Sequence, residues 1–107
     1  MSSNDRNAIS RVPVYGKGGT ISYTNTASNS ASLPKGITGV WVTCSTNAWV
    51  RLAVVAGSTA PVALTSDFYC PAGQMVWIPD DSTTGEPLQL SVIRDASDGT
   101  AKFCPGV

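Results

Sequence analysis

The feature that most constrains this chain is a series of short runs in which apolar and polar residues alternate. Glycine, proline, serine and threonine interrupt these runs every few positions. Alternation with a period of two is typical of a β-strand that buries one face. No window combines apolar residues at i, i+3 and i+4 with helix caps, so no helix is predicted. The sequence therefore predicts an all-β protein.

Eight runs are strand candidates. They cover residues 12–15 (weakened by Pro13), 20–24, 38–45, 48–55, 67–70, 75–78, 88–92 and 100–104. The short Thr46-Asn47 connection predicts a hairpin of the third and fourth runs, and Asp98-Gly99 predicts a second hairpin turn. Strands at this spacing favour a sandwich, a jelly roll or a small barrel. We expect an antiparallel β-sandwich or jelly-roll-like domain of seven or eight short strands.

A chain of 107 residues predicts one domain, and two segments differ from the rest. Residues 1–11 are polar and are expected to form a flexible N-terminal arm, either frayed or ordered on a neighbouring subunit. Residues 12–107 are expected to form the β-sandwich. Within them, residues 25–36 are rich in Ser, Asn and Ala. They are interpreted as a mobile surface loop or as an extended segment that lies on another subunit.

The charged residues argue against several functions. Seven basic residues balance seven acidic ones, and the basic residues are scattered singly, which disfavours nucleic acid and anionic membranes as partners. The chain has no histidine, which excludes Ser-His-Asp and Cys-His catalysis and histidine-containing zinc sites. Neither a secretory signal nor a membrane span is predicted, so synthesis in the cytoplasm is expected. We expect no enzymatic activity and no cofactor.

Three groups of residues have a functional and a structural interpretation. The acidic residues Asp80, Asp81 and Glu86 suit a cation, but a solvated turn is favoured. The glycine-rich run 16–19 lacks the spacing of a phosphate loop and is interpreted as a turn. For the cysteines, three reduced and mostly buried thiols are favoured over one disulfide with a free thiol, or a three-cysteine metal site. They are Cys44, Cys70 and Cys104.

The tryptophans are the strongest candidates for contacts. Trp41 and Trp49 each alternate with apolar residues of a strand, so both are expected to face outward. Core packing, a subunit interface and a glycan platform all remain open for them, and Trp77 is ambiguous. Arg51 lies in an otherwise apolar strand, where it is interpreted as an interface charge or as a sheet-edge charge that blocks wrong pairing.

Three runs together carry a family resemblance. They are T-C-S-T-N-A-W-V-R-L-A (43–53), F-Y-C-P-A-G-Q (68–74) and L-S-V-I-R-D-A-S-D-G-T (90–100). In order and spacing, this set resembles small β-proteins encoded among the head genes of tailed bacteriophages. The resemblance covers roughly residues 40–103. Cys70, the long 56–67 connection and the polar 25–36 segment depart from the pattern of that family.

The resemblance implies a capsid decoration or cement protein. Such a protein is a sandwich or jelly roll, often a trimer, that lies on the capsid surface of the virion and binds the major capsid protein. On that basis Arg6 and Arg11 are expected to pair with acids of the coat. Trp41, Trp49 and Arg51 are expected to form a face for self-association or docking. The alternatives are a tail, neck or fibre-attachment component and a carbohydrate-binding adhesion module.

Overall fold

The computed structural model describes residues 12–55, 60–80 and 87–107, which contain eight β-strands and no helix. The strands are β1 (Gly19–Tyr23), β2 (Ser28–Asn29), β3 (Gly39–Cys44), β4 (Ala48–Val54), β5 (Phe68–Cys70), β6 (Met75–Pro79), β7 (Leu88–Arg94) and β8 (Gly99–Gly106). The predicted all-β class is confirmed. Seven of the strands coincide with predicted runs, because each buries one side of an alternating pattern.

The strands form two four-stranded antiparallel sheets. The first sheet has the order β1-β8-β3-β6 and the second has the order β2-β7-β4-β5. The first strand thus pairs with the last, the second with the seventh, the third with the sixth and the fourth with the fifth. The chain is one long double strand rolled up across two sheets, which is the jelly-roll topology.

Both hairpin predictions are wrong. β3 pairs with β6 and β8, whereas β4 pairs with β5 and β7, so the connection through Thr46-Asn47 crosses from one sheet to the other. The Asp98-Gly99 turn likewise leads from β7 in the second sheet to β8 in the first. In a hairpin the apolar faces of two strands lie side by side, so another part of the protein would still have to shield them from water. Strands in opposite sheets instead bury their apolar faces against each other, which favours the crossing.

The core lies between the sheets and contains the alternating residues that the sequence places on one face of each strand. From β3 it takes Val40, Val42 and Cys44, which are at most 2% exposed. The second sheet contributes Val50 from β4 and Leu88, Leu90 and Val92 from β7, all equally buried. The predicted shared face of Ala101 and Phe103 on β8 also packs on this core.

The polar 25–36 segment is largely irregular, but its middle is ordered against the same chain. Ser28–Asn29 form β2, which pairs with β7 of the same chain at the edge of the second sheet. The Ser30 hydroxyl accepts a hydrogen bond from the Leu90 N–H and donates one to the Ala31 carbonyl oxygen. Leu33 is buried in the core. The Ser30 side chain therefore satisfies a β7 backbone N–H that a longer β2 would satisfy with its own backbone carbonyl oxygen.

The weak first candidate, residues 12–15, is not a strand. Its Pro13 forms an isolated antiparallel bridge with Gly106 at the end of β8. On one side of this bridge Val12 and Val107 exchange two backbone hydrogen bonds of 3.0 and 2.9 Å, and on the other side the Val14 N–H donates to the Pro105 carbonyl oxygen at 2.9 Å. A proline has no N–H to donate, which limits the pairing to this short stretch. The predicted arm, residues 1–11, lies outside the described residues.

Candidate interaction surfaces

The outer side of the first sheet carries an apolar surface that we name the Trp41 face. Three neighbouring strands each contribute two outward-facing residues to it: Trp41 and Thr43 on β3, Met75 and Trp77 on β6, and Lys102 and Cys104 on β8. The ring centroids of Trp41 and Trp77 lie 5.1 Å apart with their planes 59° from parallel. A shallow cleft of about 250 Å³ runs beside Trp41 and Met75. Met75 is 65% exposed and Lys102 is the charged residue of this face.

Two glycines on the neighbouring strands leave the space that the Trp77 ring occupies. A Cβ atom on Gly39 would lie 2.5 Å from a ring carbon of Trp77, and one on Gly106 would lie 2.9 Å from another. Gly39 and Gly106 are paired across β3 and β8. The indole therefore lies flat on the backbone of two strands, and any larger residue at Gly39 would displace it. Trp77, which the sequence left ambiguous, is an outward and half-buried residue.

The outer side of the second sheet carries a different aromatic pair. Trp49 on β4 is opposite Tyr69 on β5 and Ile93 on β7, and these three form what we name the Trp49 face. The ring centroids of Trp49 and Tyr69 lie 4.7 Å apart, with an angle of 57° between the planes. Burial together with the nearby Asp95 carboxylate raises the pKa of the Tyr69 hydroxyl. The tilt means that the two rings do not form one flat platform.

A chain segment covers the rest of this outer side. Ser91 on β7 is fully buried although its strand neighbours Leu90 and Val92 point the other way, into the core. Its hydroxyl accepts a hydrogen bond of 2.8 Å from the Ala63 N–H and donates one of 3.3 Å to Asn29. The Asn29 side-chain amide donates in turn to the Pro61 carbonyl oxygen at 2.6 Å. Residues 61–63 therefore lie on the outer side of β7 and are held there by side chains.

Arg51 anchors the end of the same segment. Its guanidinium donates two hydrogen bonds of 2.9 Å, one to each carboxylate oxygen of Asp67. The Leu64 N–H donates a third, of 2.7 Å, to Asp67. Burial alone would raise the pKa of the Asp67 carboxyl, but the hydrogen bonds from Arg51 and Leu64 outweigh it, so this pKa lies below its ordinary value. The pair also raises the pKa of Arg51, which stays charged.

The position of Arg51 in the second sheet allows its two interpretations, an interface charge and a sheet-edge charge, to be compared. β5 pairs with β4 only as far as Val50, so from Arg51 onward β4 hydrogen-bonds to β7 alone. Arg51 thus lies where one side of an inner strand becomes an edge, which agrees with the sheet-edge interpretation. Its charge is neutralised within the chain by Asp67, so its primary contact is internal.

At one end of the sandwich, hydroxyl and amide side chains form a polar corner around Tyr23. The buried Tyr23 hydroxyl contacts the backbone of Thr46 in the β3–β4 connection. The Thr46 hydroxyl donates to the Ser97 carbonyl oxygen at 2.9 Å, and the Ser45 hydroxyl accepts from the Thr100 N–H at 2.9 Å. The Asn47 side chain accepts a hydrogen bond from the Ala72 N–H at 2.8 Å. These contacts tie together the connections between strands of the two sheets.

The three runs that carry the family resemblance meet at the polar corner. Ser45 to Asn47 belong to the first run, Ala72 to the second, and Ser97 to Thr100 to the third. A shallow cleft of about 250 Å³ lies among them and is lined by small residues. Because their polar groups bind the backbone of neighbouring connections, these runs hold the chain at the points where it changes sheets.

The structure separates the predicted contact residues. Trp41 lies on the outer side of the first sheet, whereas Trp49 and Arg51 lie on the outer side of the second, so the three do not form one face. Trp41 and Trp49 do both point outward, as the alternation predicts, and each is half-buried. Arg6 and Arg11 lie outside the described residues, as does most of the acidic segment at 80–86.

Sequence reasoning missed Tyr23, Asp67 and Ser91. The alternation in T-I-S-Y-T places Tyr23 on the inward face beside Ile21, and a phenol on a buried face needs a hydrogen-bond partner, which is a usable signal. Asp67 and Ser91 gave no comparable signal, because their partners Arg51 and Ala63 are distant in sequence.

Within residues 12–55, 60–80 and 87–107 there is no group of three or more Cys, Asp or Glu residues placed to hold a metal ion. The same residues contain no helix that could cross a membrane. Comparisons of the chain with models of protein families, with curated proteins and with solved structures find no match.

Proposed function

We propose that this chain is a non-enzymatic structural protein of a phage head, which binds the outside of the major capsid protein and reinforces the shell. The Trp41 face carries the proposal. It combines two indoles and an exposed Met75 with a single charge, and aromatic residues and methionine are enriched, and charges depleted, in the cores of protein interfaces. A rigid sheet supports this face, so little conformational entropy is lost when it docks.

Other properties of the chain support the same proposal. The jelly roll occurs in viral capsid proteins and also in lectins, so the topology alone decides nothing. The zero net charge allows many copies to lie close together without mutual repulsion. The resemblance to phage head proteins adds the partner, and Arg6 and Arg11 are assigned to acids of the coat. We propose a homotrimer, because shell proteins act at symmetric positions of a lattice.

The direct test is binding to empty, expanded heads assembled from the capsid protein of the phage that encodes the chain. Met75→Glu places a charge at the most exposed apolar residue of the Trp41 face and should weaken binding at least tenfold, because the carboxylate loses water without gaining a partner. Val62→Glu is the matched control, since Val62 is 54% exposed and belongs to the segment on the opposite side. Its binding should stay within about twofold of the wild type.

Three results would contradict the proposal. The wild-type chain could sediment as a monomer with no affinity for the heads. The two variants could bind equally well, which would remove the Trp41 face from the contact. Labelled antibody could also locate the chain on the tail, the neck or the fibres, which would favour the alternative of a tail or attachment component.

A carbohydrate-binding adhesion module is the second candidate, and the Trp49 face is the observation that favours it. Stacking of one sugar ring on Trp49 or Tyr69 would quench tryptophan fluorescence. The 57° between the two rings limits stacking to one of them. Titration with a panel of oligosaccharides tests this candidate, and quenching that Tyr69→Ala reduces would support it over the structural function.

A further inference from the structure

Two of the three cysteines come together in the core, although one belongs to each sheet. Cys44 ends β3 in the first sheet, and Cys70 ends β5 in the second. Cys44 forms a bridge with Ala72, two residues after Cys70, and its carbonyl oxygen accepts a hydrogen bond of 2.8 Å from the Gly73 N–H. The turn after β5 thus lies against the end of β3. It holds the two thiols against each other.

The contact between the thiols is direct. The Cys44 thiol donates a hydrogen bond to the Cys70 sulfur, and the Cys44 backbone N–H also faces that sulfur. Both residues are at most 2% exposed, and neither forms a disulfide in this structure. Cys104 is on the outer side of the first sheet and hydrogen-bonds weakly to the Val14 carbonyl oxygen at 3.8 Å.

We propose that Cys44 and Cys70 are an oxidation site that closes to a disulfide between the two sheets when the protein meets a small oxidant such as hydrogen peroxide. The bond would join β3 to β5 next to the polar corner, where the chain passes between the sheets. This inference does not depend on the proposed function, because it uses only the contact of the two thiols.

The reaction balances with peroxide as the oxidant. The thiolate of one cysteine of the pair attacks one oxygen of hydrogen peroxide, which gives a sulfenic acid on that residue and releases hydroxide. The sulfur of the other cysteine then attacks the sulfenic sulfur, and the sulfenic oxygen leaves as water after taking up a proton. Overall, two thiols and one hydrogen peroxide give one disulfide and two molecules of water.

The two thiols differ in their electrostatics and in their access to solvent. The hydrogen bond from the Cys44 thiol, together with its backbone N–H, lowers the pKa of the Cys70 thiol although burial opposes this. The same hydrogen bond and burial raise the pKa of Cys44. A cleft of about 220 Å³ is lined in part by Cys44 and Gly73, so a molecule as small as peroxide reaches the pair from the Cys44 side, whereas Cys70 is fully buried.

The test is oxidation of the folded, reduced protein with peroxide, followed by unfolding, alkylation of the remaining thiols and digestion with trypsin. Cleavage after Lys35, Arg51, Arg94 and Lys102 places the three cysteines in separate peptides. We expect peptide 36–51 linked to peptide 52–94, with Cys104 recovered alkylated or separately oxidised. The linked protein should melt higher by roughly 10 °C, since closing a loop of about 25 residues restricts the unfolded chain. A reducing agent should reverse the shift.

Variants separate this site from general thiol oxidation. Cys104→Ser is the matched control and should give the same linked peptides and the same shift in melting temperature. Cys44→Ser removes one thiol of the pair, so no link between peptides 36–51 and 52–94 should form and Cys70 should be recovered alkylated or oxidised beyond the sulfenic acid. Recovery of both Cys44 and Cys70 alkylated after treatment that oxidises Cys104 would overturn the proposal. Exclusive formation of Cys104 disulfides between two chains would do the same. The two contradicting results are measured on the wild-type chain, so they test the proposal even if Cys44→Ser fails to fold.

Discussion

The hydroxyl of Tyr23 donates a hydrogen bond of 2.8 Å to the carbonyl oxygen of Thr46 and accepts one of 3.1 Å from its N–H. Tyr23 ends β1, and Thr46 lies in the connection through which the chain leaves β3 for the other sheet. One buried phenol thus satisfies both backbone groups of a residue that has no strand partner. This contact fixes the crossing that gives the jelly roll its connectivity.

Tyr23→Phe should lower the free energy of unfolding by about 1–3 kcal/mol, because it leaves the Thr46 backbone groups without this partner in a partly buried site. Urea denaturation followed by tryptophan fluorescence measures the change. Tyr15→Phe removes the same hydroxyl from a side chain that is 85% exposed and should change stability by less than about 0.5 kcal/mol. Equal effects of the two substitutions would rule out a stabilising function of the Tyr23 contact.

Asp67→Asn should make stability less dependent on pH in the acidic range. The folded-state pKa of Asp67 lies below the ordinary value of 3.8, so its carboxylate stabilises the fold fully above that value. The contribution is lost as the pH falls through the lower folded-state pKa. Wild type should be more stable by about 1 kcal/mol near neutral pH, and the two proteins should converge as the pH falls below 3.8 and through the folded-state pKa of Asp67.

The measurement for Asp67 is urea denaturation at a series of pH values. Asp98→Asn is the control, because Asp98 pairs with Arg94 at 2.6 Å but its side chain is 60% exposed. Such exposed pairs contribute little, so this substitution should leave the pH profile nearly parallel to the wild type. A gap between wild type and Asp67→Asn that persists unchanged at low pH would contradict the assigned ion pair.

Ser91→Ala should release the segment that covers the second sheet. The Ala63 N–H would lose its buried acceptor, at a cost of about 1–3 kcal/mol. Hydrogen exchange measured by NMR should show faster exchange of the Ala63 amide, while the β4–β7 ladder keeps its protection. Ser22→Ala, at an exposed position of β1, should leave both stability and exchange unchanged. Unaltered exchange at Ala63 in Ser91→Ala would show that other contacts hold the segment.

Gly99→Ala tests the close packing of the polar corner. A Cβ atom there would lie 2.5 Å from the Thr46 hydroxyl oxygen and 2.6 Å from those of Ser45 and Tyr23. We expect a loss of about 2–3 kcal/mol, because these hydroxyls must shift and break their hydrogen bonds. Gly36→Ala is the comparison, since Gly36 has a φ of +79° but open space around it. Its cost of about 1 kcal/mol should come from backbone strain alone, and calorimetry ranks the two.

Gly99 also illustrates where the sequence misleads. Asp98-Gly99 matches the two-residue turn of a hairpin, in which glycine supplies a positive φ. Yet among the glycines that the structure describes, positive φ values belong to Gly16, Gly36 and Gly73 and not to Gly99. Glycine is needed at position 99 because three hydroxyl oxygens approach its backbone. Those oxygens belong to residues up to about 75 positions away, so no local pattern could reveal them.

The sequence by itself determined seven of the eight strands and the faces that they bury, but not β2 (Ser28–Asn29). Alternation is local, and the cost of exposing Val40, Val42 or Leu90 to water is the same in any all-β arrangement. The outward direction of Trp41 and Trp49 follows from the same pattern.

The tertiary structure alone decided which strands pair, because alternating strands satisfy a hairpin and a rolled double strand equally well. It placed Trp41 on one outer side and Trp49 with Arg51 on the other, joined Arg51 to Asp67, and brought Cys44 against Cys70. Each of these contacts joins residues that are distant in sequence. Their energy is gained only when both sheets enclose one core.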